Sequence, residues 1–199
     1  MDNNVCEFYD TNWKKFDDSR VRIWKCVREF ISNIPKNSMI LDAGCGNGKN
    51  MIFIKKNEIN VKGIDFSEKL VDVCKKKKLD VSISNICNIP YPDNFFDNVI
   101  CIAVLHHLQK EDDRIKAINE MLRVCKKGGK ILITLWSVEQ DKHNAITKDF
   151  KYGDNLVKWE NTFRYYFIYD KQHITEFIKK FNVSELCWEL GNWYFVINV

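Results

Sequence analysis

A glycine-rich segment and a carboxylate beyond it are the first residues here whose spacing points to chemistry. The run Asp42-Ala43-Gly44-Cys45-Gly46-Asn47-Gly48 follows the apolar stretch Met39-Ile40-Leu41, and a second apolar stretch, Val61 to Ile64, ends at Asp65. Glycines at a strand-to-helix turn let the backbone approach a ligand closely, and the following helix presents its first N–H groups there. The spacing is G-x-G-x-G. It differs from the dinucleotide G-x-G-x-x-G because position 49 is Lys, and a phosphate loop would need Lys and then Ser or Thr after the final glycine. A carboxylate at the tip of the second strand can accept both ribose hydroxyls of a nucleoside. The alternative for the loop alone is a tight turn with an N-cap Asp; the pairing with Asp65 favours a nucleoside site.

Four other segments carry reactive or stacking side chains. His106 and His107 follow the fourth apolar stretch, at a strand's carboxyl end, where ligands bind in sheets of this kind. A lone His there would more often be structural, but two adjacent ones cannot both face the core. Adjacent imidazoles are poorly placed for one metal and no third ligand accompanies them, so no metal is expected. Trp136, at the tip of the fifth strand, is either core or a surface for base stacking. Arg164-Tyr165-Tyr166 reads as a solvated strand edge or as a substrate contact. Arg20 shares a helix face with Lys15, Arg22, Lys25 and Arg28, which is a solvated face or a phosphate track. The run Lys75 to Lys78 is read as solvating a helix end far from the site.

The elements that must position these groups alternate. Residues 18 to 33 have helical spacing in Val21, Ile23, Trp24, Val27, Phe30 and Ile31, stopped by Pro35. Strands are predicted at 39–41, 61–64, 81–83, 96–102 and 130–135, and helices at 47–57, from Ser67 to about Lys77, from Glu111 to Cys125 and over 171–181. Lys126-Lys127-Gly128-Gly129 reads as a helix C-cap with helpful cations. Residues 137 to 165 read as irregular, polar and aromatic. Val183 to Trp188 and Trp193 to Val199 read as a closing antiparallel pair. Strands alternating with helices before a terminal hairpin imply an α/β sandwich on a mostly parallel sheet.

Composition fits that reading. The chain has 199 residues, 45% hydrophobic and 29% charged, which is globular and excludes disordered or collagen-like chains. A single domain is expected over 1–199, with an N-terminal helical cap at 1–35 and a substrate-side insertion at 137–170. The net charge of +4 permits an anionic partner without demanding one. The eight cysteines form no C-x-x-C pair and read as reduced thiols. No apolar run reaches a membrane span, and no basic, apolar, small-residue order follows Met1. The expected location is the cytoplasm, with the nucleus as the alternative.

The acidic-x-Gly-x-Gly-x-Gly segment, Asp65 and Gly128-Gly129 before the fifth strand together resemble the class I S-adenosylmethionine-dependent methyltransferases over about residues 36 to 136. That resemblance implies an α/β, Rossmann-like class I methyltransferase sandwich with a seven-stranded, mostly parallel sheet and one antiparallel strand. It implies S-adenosyl-L-methionine as cofactor, with Asp42, Gly44, Gly46 and Gly48 at its methionine moiety and Asp65 at its ribose. Phe66 and Ile86 would wall the adenine, and Ala103 would join the cofactor site. Where such loops usually carry an Asp toward the adenine amino group, this sequence has Asn85, whose amide oxygen can still accept that bond or can serve a turn.

Segments outside the cofactor loop are similar to the tRNA wobble-uridine methyltransferases, which esterify 5-carboxymethyluridine; the methyltransferase half of the AlkB-homologue-8 enzymes belongs to that family. They are Tyr9, Phe16, Ser19-Arg20 and Trp24 at the N-terminus, the His pair, Trp136 to Gln140, Asp154 to Trp159, Arg164 to Tyr169, and Gly191 to Phe195. The stretch between Gln140 and Asp154 is shorter than is common in that family. The resemblance implies catalytic roles for His107, Arg20 and Arg164, and substrate contacts from His106, Trp136, Gln140, Tyr165, Tyr166 and Asn192. A carboxymethyl group is already ionised at neutral pH, so no general base is needed, and His107 is expected to donate a hydrogen bond that aims the carboxylate. At most one cation is expected on that carboxylate, because two would draw charge from the attacking oxygen. The implied partners are the tRNA anticodon loop and a small zinc-binding activator protein on the edge strand Val81-Ser82-Ile83-Ser84, with no membrane. The alternatives are a small-molecule methyltransferase and a non-catalytic, cofactor-bound scaffold subunit.

Overall fold

The computed structural model of the protein describes residues 3–19, 22–140, 150–159 and 162–199. Two helices open the chain, α1 (Asn3–Ser19) and α2 (Lys25–Ser32), followed by β1 (Met39–Ala43), α3 (Lys49–Lys56), β2 (Asn60–Asp65), α4 (Glu68–Lys76) and β3 (Val81–Ile83). Then come β4 (Phe96–Ile102), a 3-10 turn (Leu105–His107), α5 (Glu111–Val124), β5 (Cys125–Trp136), β6 (Gly153–Trp159) and β7 (Thr162–Ile168), and finally α6 (Lys171–Ile178), β8 (Val183–Glu189) and β9 (Asn192–Asn198).

Seven strands form one sheet in the order β3-β2-β1-β4-β5-β9-β8. The first five run parallel, and β9 inserts antiparallel to both β5 and β8. The expected sheet, with its single antiparallel strand, is therefore present. Successive strand residues point to opposite faces, and both faces are buried. Ile40, Ile100 and Leu132 pack with Val27 and Ile31 of α2, Met51 and Ile54 of α3, and Val71 and Cys74 of α4. Their neighbours Leu41, Val99, Ile131 and Ile133 pack on the other face with Ile118 and Met121 of α5 and Ile174 and Phe177 of α6.

Three predicted elements are corrected. The single helix expected over 18–33 is two: α1 ends at Ser19, and α2 begins at Lys25 because the Glu189 carboxylate of β8 accepts the N–H groups of Lys25 (2.8 Å) and Cys26 (2.9 Å). Orphan donors at a helix start favour an anion there. The expected C-cap at 126–129 is instead the start of β5: Cys125 pairs with Phe96, and Gly128 N–H donates to the Val199 carbonyl at 2.8 Å. Within 137–165, read as irregular, β6 and β7 form an antiparallel hairpin, with Leu156 opposite Tyr165 and Val157 opposite Arg164.

The Lys75 to Lys78 run also does more than solvate a helix end. Lys77 Nζ bonds the Asp17 carboxylate (2.6 Å) and the Asn47 carbonyl (3.1 Å), tying α4 to α1 and to the glycine loop. All eight cysteines are free thiols. No described helix is long and apolar enough to cross a membrane.

Candidate active site

A cavity of about 280 Å³ opens over the carboxyl ends of the parallel strands, between the turn after β1 and the turn after β4. That is where the strand order reverses direction, the usual ligand crevice of such sheets. Gly44 and Gly46 line it from the first turn, Asp65 and Phe66 from the end of β2, Ile86 from beyond β3, and Ala103, His106 and His107 from beyond β4. Trp136, Gln140, Arg164, Tyr166 and Asn192 complete the wall.

The glycines act through shape. Gly44 has φ +82, and a Cβ there would lie 2.4 Å from Val104 Cγ2; Gly48 has φ +76, and a Cβ there would lie 2.3 Å from Leu79 Cδ1. Both the left-handed backbone and the close packing therefore require glycine. Gly48 does not reach the cavity; it lets α3 pack on the loop between α4 and β3. The loop's own N–H groups are used internally. Gly44 and Cys45 donate to the Ile64 carbonyl, Gly48 to the Cys45 carbonyl, and Gly46 to Asp65 Oδ2 at 2.8 Å. A loop built this way suits a ligand without a phosphate, which needs closeness rather than amide donors.

Asp65 is held from both sides, because its other oxygen accepts the Ser67 N–H at 2.9 Å. Burial pushes its carboxyl above the ordinary range, while the backbone donors at Ser67, Gly46 and Phe66 pull the other way. Asp42 is fully buried, does not line the cavity, and neither of its oxygens has a hydrogen-bond partner. Burial, reinforced by the charge of Asp65 and opposed by Lys49, lifts its carboxyl to about 7.

Of its two expected roles, Asn85 takes that of a turn residue. Its side-chain oxygen accepts the Cys87 N–H at 2.9 Å, so it stabilises its own turn, and Ser84 and Ile86 face the cavity in its place.

The His pair is buried, and its hydrogen bonds exchange the roles expected of the two rings. His107 Nδ1 lies 3.0 Å from the Tyr165 carbonyl, which can only accept, so the proton is on Nδ1. His107 Nε2 then accepts from the Tyr9 hydroxyl at 2.9 Å. The expected donor at His107 therefore has no N–H left for a substrate. His106 Nδ1 accepts the Trp136 N–H at 3.4 Å, which puts its proton on Nε2, and its ring stacks on Tyr166 at 4.6 Å. Burial, aided by the charge of Arg164, pushes His107 down to about 3 against the pull of the Tyr165 carbonyl. Burial, with His107 and Arg164, also holds His106 well below its ordinary value.

A pH test follows from His107. Unfolded, it titrates near its ordinary 6.5, whereas in the fold it titrates at about 3. Between those values the unfolded chain holds a proton that the folded one lacks, so stability is complete above about 6.5 and is lost as the pH falls toward 3. The unfolding free energy, measured by urea titration from pH 7 to 4, is expected to fall more steeply for the protein than for His107→Gln, by at most about 1.4 kcal/mol per pH unit. Equal slopes would contradict the neutral, buried imidazole.

Arg164 is 3% exposed and sits among the rings of Trp159 (4.3 Å), Phe8 (4.9 Å), Tyr166 (5.2 Å) and Tyr9 (5.9 Å). Its Nη1 donates to the Tyr9 hydroxyl at 3.3 Å, and its Nε has no partner. Among the described residues no carboxylate pairs with it. Tyr165, adjacent to it, contributes a carbonyl only: its hydroxyl donates to Asp154 on the outer face of the hairpin, away from the cavity. Gln140 Nε2 donates to the carbonyls of Ser137 (2.6 Å) and Gly191 (2.8 Å), fixing the β8–β9 turn at the rim. Asn192 Nδ2 donates to the Leu190 carbonyl at 2.9 Å, and its oxygen is buried without a partner. Arg20 lies outside the described residues. Among the described residues no three His, Cys, Asp or Glu side chains gather as a metal site would require.

An N-terminal helical cap is expected at 1–35, but sequence reasoning sets no helix before residue 18 and so misses the one that covers the cavity. Helix α1 lies over the cavity and contributes Cys6, Tyr9 and Phe16 to its wall. The Ser67 hydroxyl donates to Asp10, and the Cys6 thiol donates to the Phe66 carbonyl, fastening α1 beside the end of β2. Its apolar positions Val5, Phe8, Tyr9 and Phe16 fall on one helical face, a periodicity that could have revealed it.

The sequence model of a methyltransferase domain matches residues 41–133, the stretch from β1 to β5 that carries the glycine turn and Asp65. With the sheet order and the cavity at its switch point, this defines the class of protein, a Rossmann-like methyltransferase domain. A tRNA (carboxymethyluridine(34)-5-O)-methyltransferase of Schizosaccharomyces pombe is 35% identical over 156 residues, spanning 78% of this chain and 67% of that protein. The enzyme of the same name from Arabidopsis thaliana is 41% identical over 150 residues, or 72% of this chain, although the chain spans only 35% of that relative's length. This chain belongs to the tRNA (carboxymethyluridine(34)-5-O)-methyltransferase family. A solved complex between the Haloferax volcanii Trm112 methyltransferase activator and a methyltransferase has the same fold, with a TM-score of 0.75 and 14% identity, covering 98% of this chain and 96% of that one.

The residues present fit S-adenosylmethionine. Asp65 reaches the cavity wall, where a carboxylate could accept ribose hydroxyls, and Phe66 and Ile86 line the same cavity, whereas Asp42, expected at the methionine moiety, does not reach it.

Proposed function

We propose that this chain methylates the carboxylate of 5-carboxymethyluridine at the wobble position of tRNA, producing the methyl ester. The observation that supports this most is Arg164. A buried cation without a counter-ion is costly to keep, and an anionic substrate entering the cavity offsets that cost. A single guanidinium on the carboxylate can orient it and leave the attacking oxygen nucleophilic. The names of the curated relatives support the same substrate.

When bound, S-adenosylmethionine would be held by Asp65, Phe66, Ile86 and the glycine turn, and would supply an electrophilic methyl group and a neutral thioether leaving group. The protein's own residues orient and desolvate the nucleophile. Arg164 binds the carboxylate. His106, stacked on Tyr166 with its proton on Nε2, is the imidazole donor left for the substrate. Trp136 and Tyr166 offer the uracil a stacking surface beside it. With the carboxylate ionised at neutral pH, no residue has to take a proton, which suits two imidazoles held neutral and buried.

The proposal is tested with a purified anticodon stem-loop carrying 5-carboxymethyluridine. Labelled methyl is expected to enter that RNA and not the same RNA with uridine. Equal labelling of both would contradict the substrate.

A small zinc-binding activator protein completes the proposed assembly. Strand β3 ends the sheet and pairs with β2 alone, and Ile83 at its tip is 50% exposed. The edge carries no Pro and no charge to block pairing. Strand addition there would bury Ile83. Ile83→Lys is expected to weaken capture of a co-expressed activator at least about tenfold, since a charge would enter the interface. Unchanged capture would remove β3 as the docking edge.

A further inference from the structure

We infer that Tyr9 is a positioning residue of this site: its hydroxyl fixes the Arg164 guanidinium and the His107 imidazole in one arrangement, so that Arg164 presents its remaining N–H groups to a substrate carboxylate. The inference rests on the carboxylate reading above. Stacking on aromatic rings can set the tilt of a planar guanidinium but only weakly its rotation within its own plane, so the rings of Phe8, Trp159 and Tyr166 hold Arg164 in place without aiming its N–H groups. Among the described residues its directional hydrogen bond is the one that Nη1 gives to Tyr9.

The same hydroxyl has its own proton committed. It donates to His107 Nε2, while His107 Nδ1–H is bound by the carbonyl of Tyr165, the residue next to Arg164. The chain of bonds therefore closes on itself, from Arg164 through Tyr9 and His107 to the backbone beside Arg164. It joins α1, the 3-10 turn and β7 at the cavity wall. The Tyr9 ring packs edge-on against Phe16 at 5.2 Å and His107 at 5.6 Å, and Tyr9→Phe keeps that packing while deleting only the oxygen.

The test compares binding of two anticodon stem-loops in the presence of S-adenosylhomocysteine, one with 5-carboxymethyluridine and one with its neutral amide isostere. The protein is expected to prefer the carboxylate. Tyr9→Phe is expected to lower that preference about tenfold, the worth of one charge-assisted hydrogen bond, with S-adenosylhomocysteine affinity unchanged. Asp10→Ala serves as the control. It breaks the tie between α1 and Ser67 but keeps the hydroxyl, and it should retain the preference. Equal loss for both RNAs in Tyr9→Phe, or the same loss of preference in Asp10→Ala, would overturn the inference and assign the effect to helix docking. A protein that shows no preference at all would overturn the carboxylate reading and this inference with it.

Discussion

Replacing Arg164 with Met is expected to lower kcat/KM for 5-carboxymethyluridine RNA by about 100-fold, on the order of 3 kcal/mol, as for truncation of one partner of a desolvated charge pair. Methionine keeps an apolar side chain inside the aromatic cage of Phe8, Trp159 and Tyr166, so the loss is chiefly of the cation. Because that cation has no carboxylate partner among the described residues, its removal strands no buried anion, and the melting temperature should hold or rise. Affinity for S-adenosylhomocysteine should stay unchanged, since Asp65 and the glycine turn are untouched. The rate should also be flat from about pH 6 to 9 in both proteins, because a nucleophile with a pKa near 4 is already ionised. A variant with normal kcat/KM would mean that the substrate carries no charge at this position.

Asp65→Ala should weaken S-adenosylmethionine binding by about 2–3 kcal/mol, measured by calorimetry, because buried ribose hydroxyls lose a charged acceptor. The same carboxylate accepts the Gly46 and Ser67 N–H groups, so the substitution also releases two backbone donors and loosens the glycine loop. Some loss of melting temperature should therefore accompany the loss of affinity. Asp65→Asn keeps one acceptor oxygen and should fall between the two. An unchanged dissociation constant in Asp65→Ala would remove the ribose assignment.

The parallel core of the fold is legible in the sequence because its signals are local. Ile40 and Leu41 face opposite cores, Ser67 caps α4 through its own side chain, and the glycines fall at the turn their left-handed backbones demand. The site is legible as far as those strand tips reach: Asp65, Phe66, Ile86, Ala103, the His pair and Trp136 all line one cavity.

What could not be read depends on distant partners. The start of α2 is set by Glu189, far along the chain. Burial alternates along β6 and β7, but hydropathy does not, because apolar Leu156 and Phe163 face outward while Arg164 is buried among the inward residues Val157, Tyr166 and Ile168. Which nitrogen of His107 carries the proton is decided by the Tyr165 carbonyl and by Tyr9 on α1, contacts that no spacing announces. Position in the loop after β3 leaves Asn85 open to an adenine contact or a turn role, and the bond its oxygen accepts from the Cys87 N–H is a property of that turn alone.

The most direct test of the central claim is the chemical nature of the bond formed. Stem-loop RNA carrying 5-carboxymethyluridine would be methylated with labelled S-adenosylmethionine and then treated with mild alkali. A methyl ester hydrolyses and releases its label as methanol, leaving the original carboxylate, whereas a methyl group on nitrogen or on an ether oxygen stays with the RNA. The account predicts complete release from the protein's product. Label that survives the treatment would contradict it.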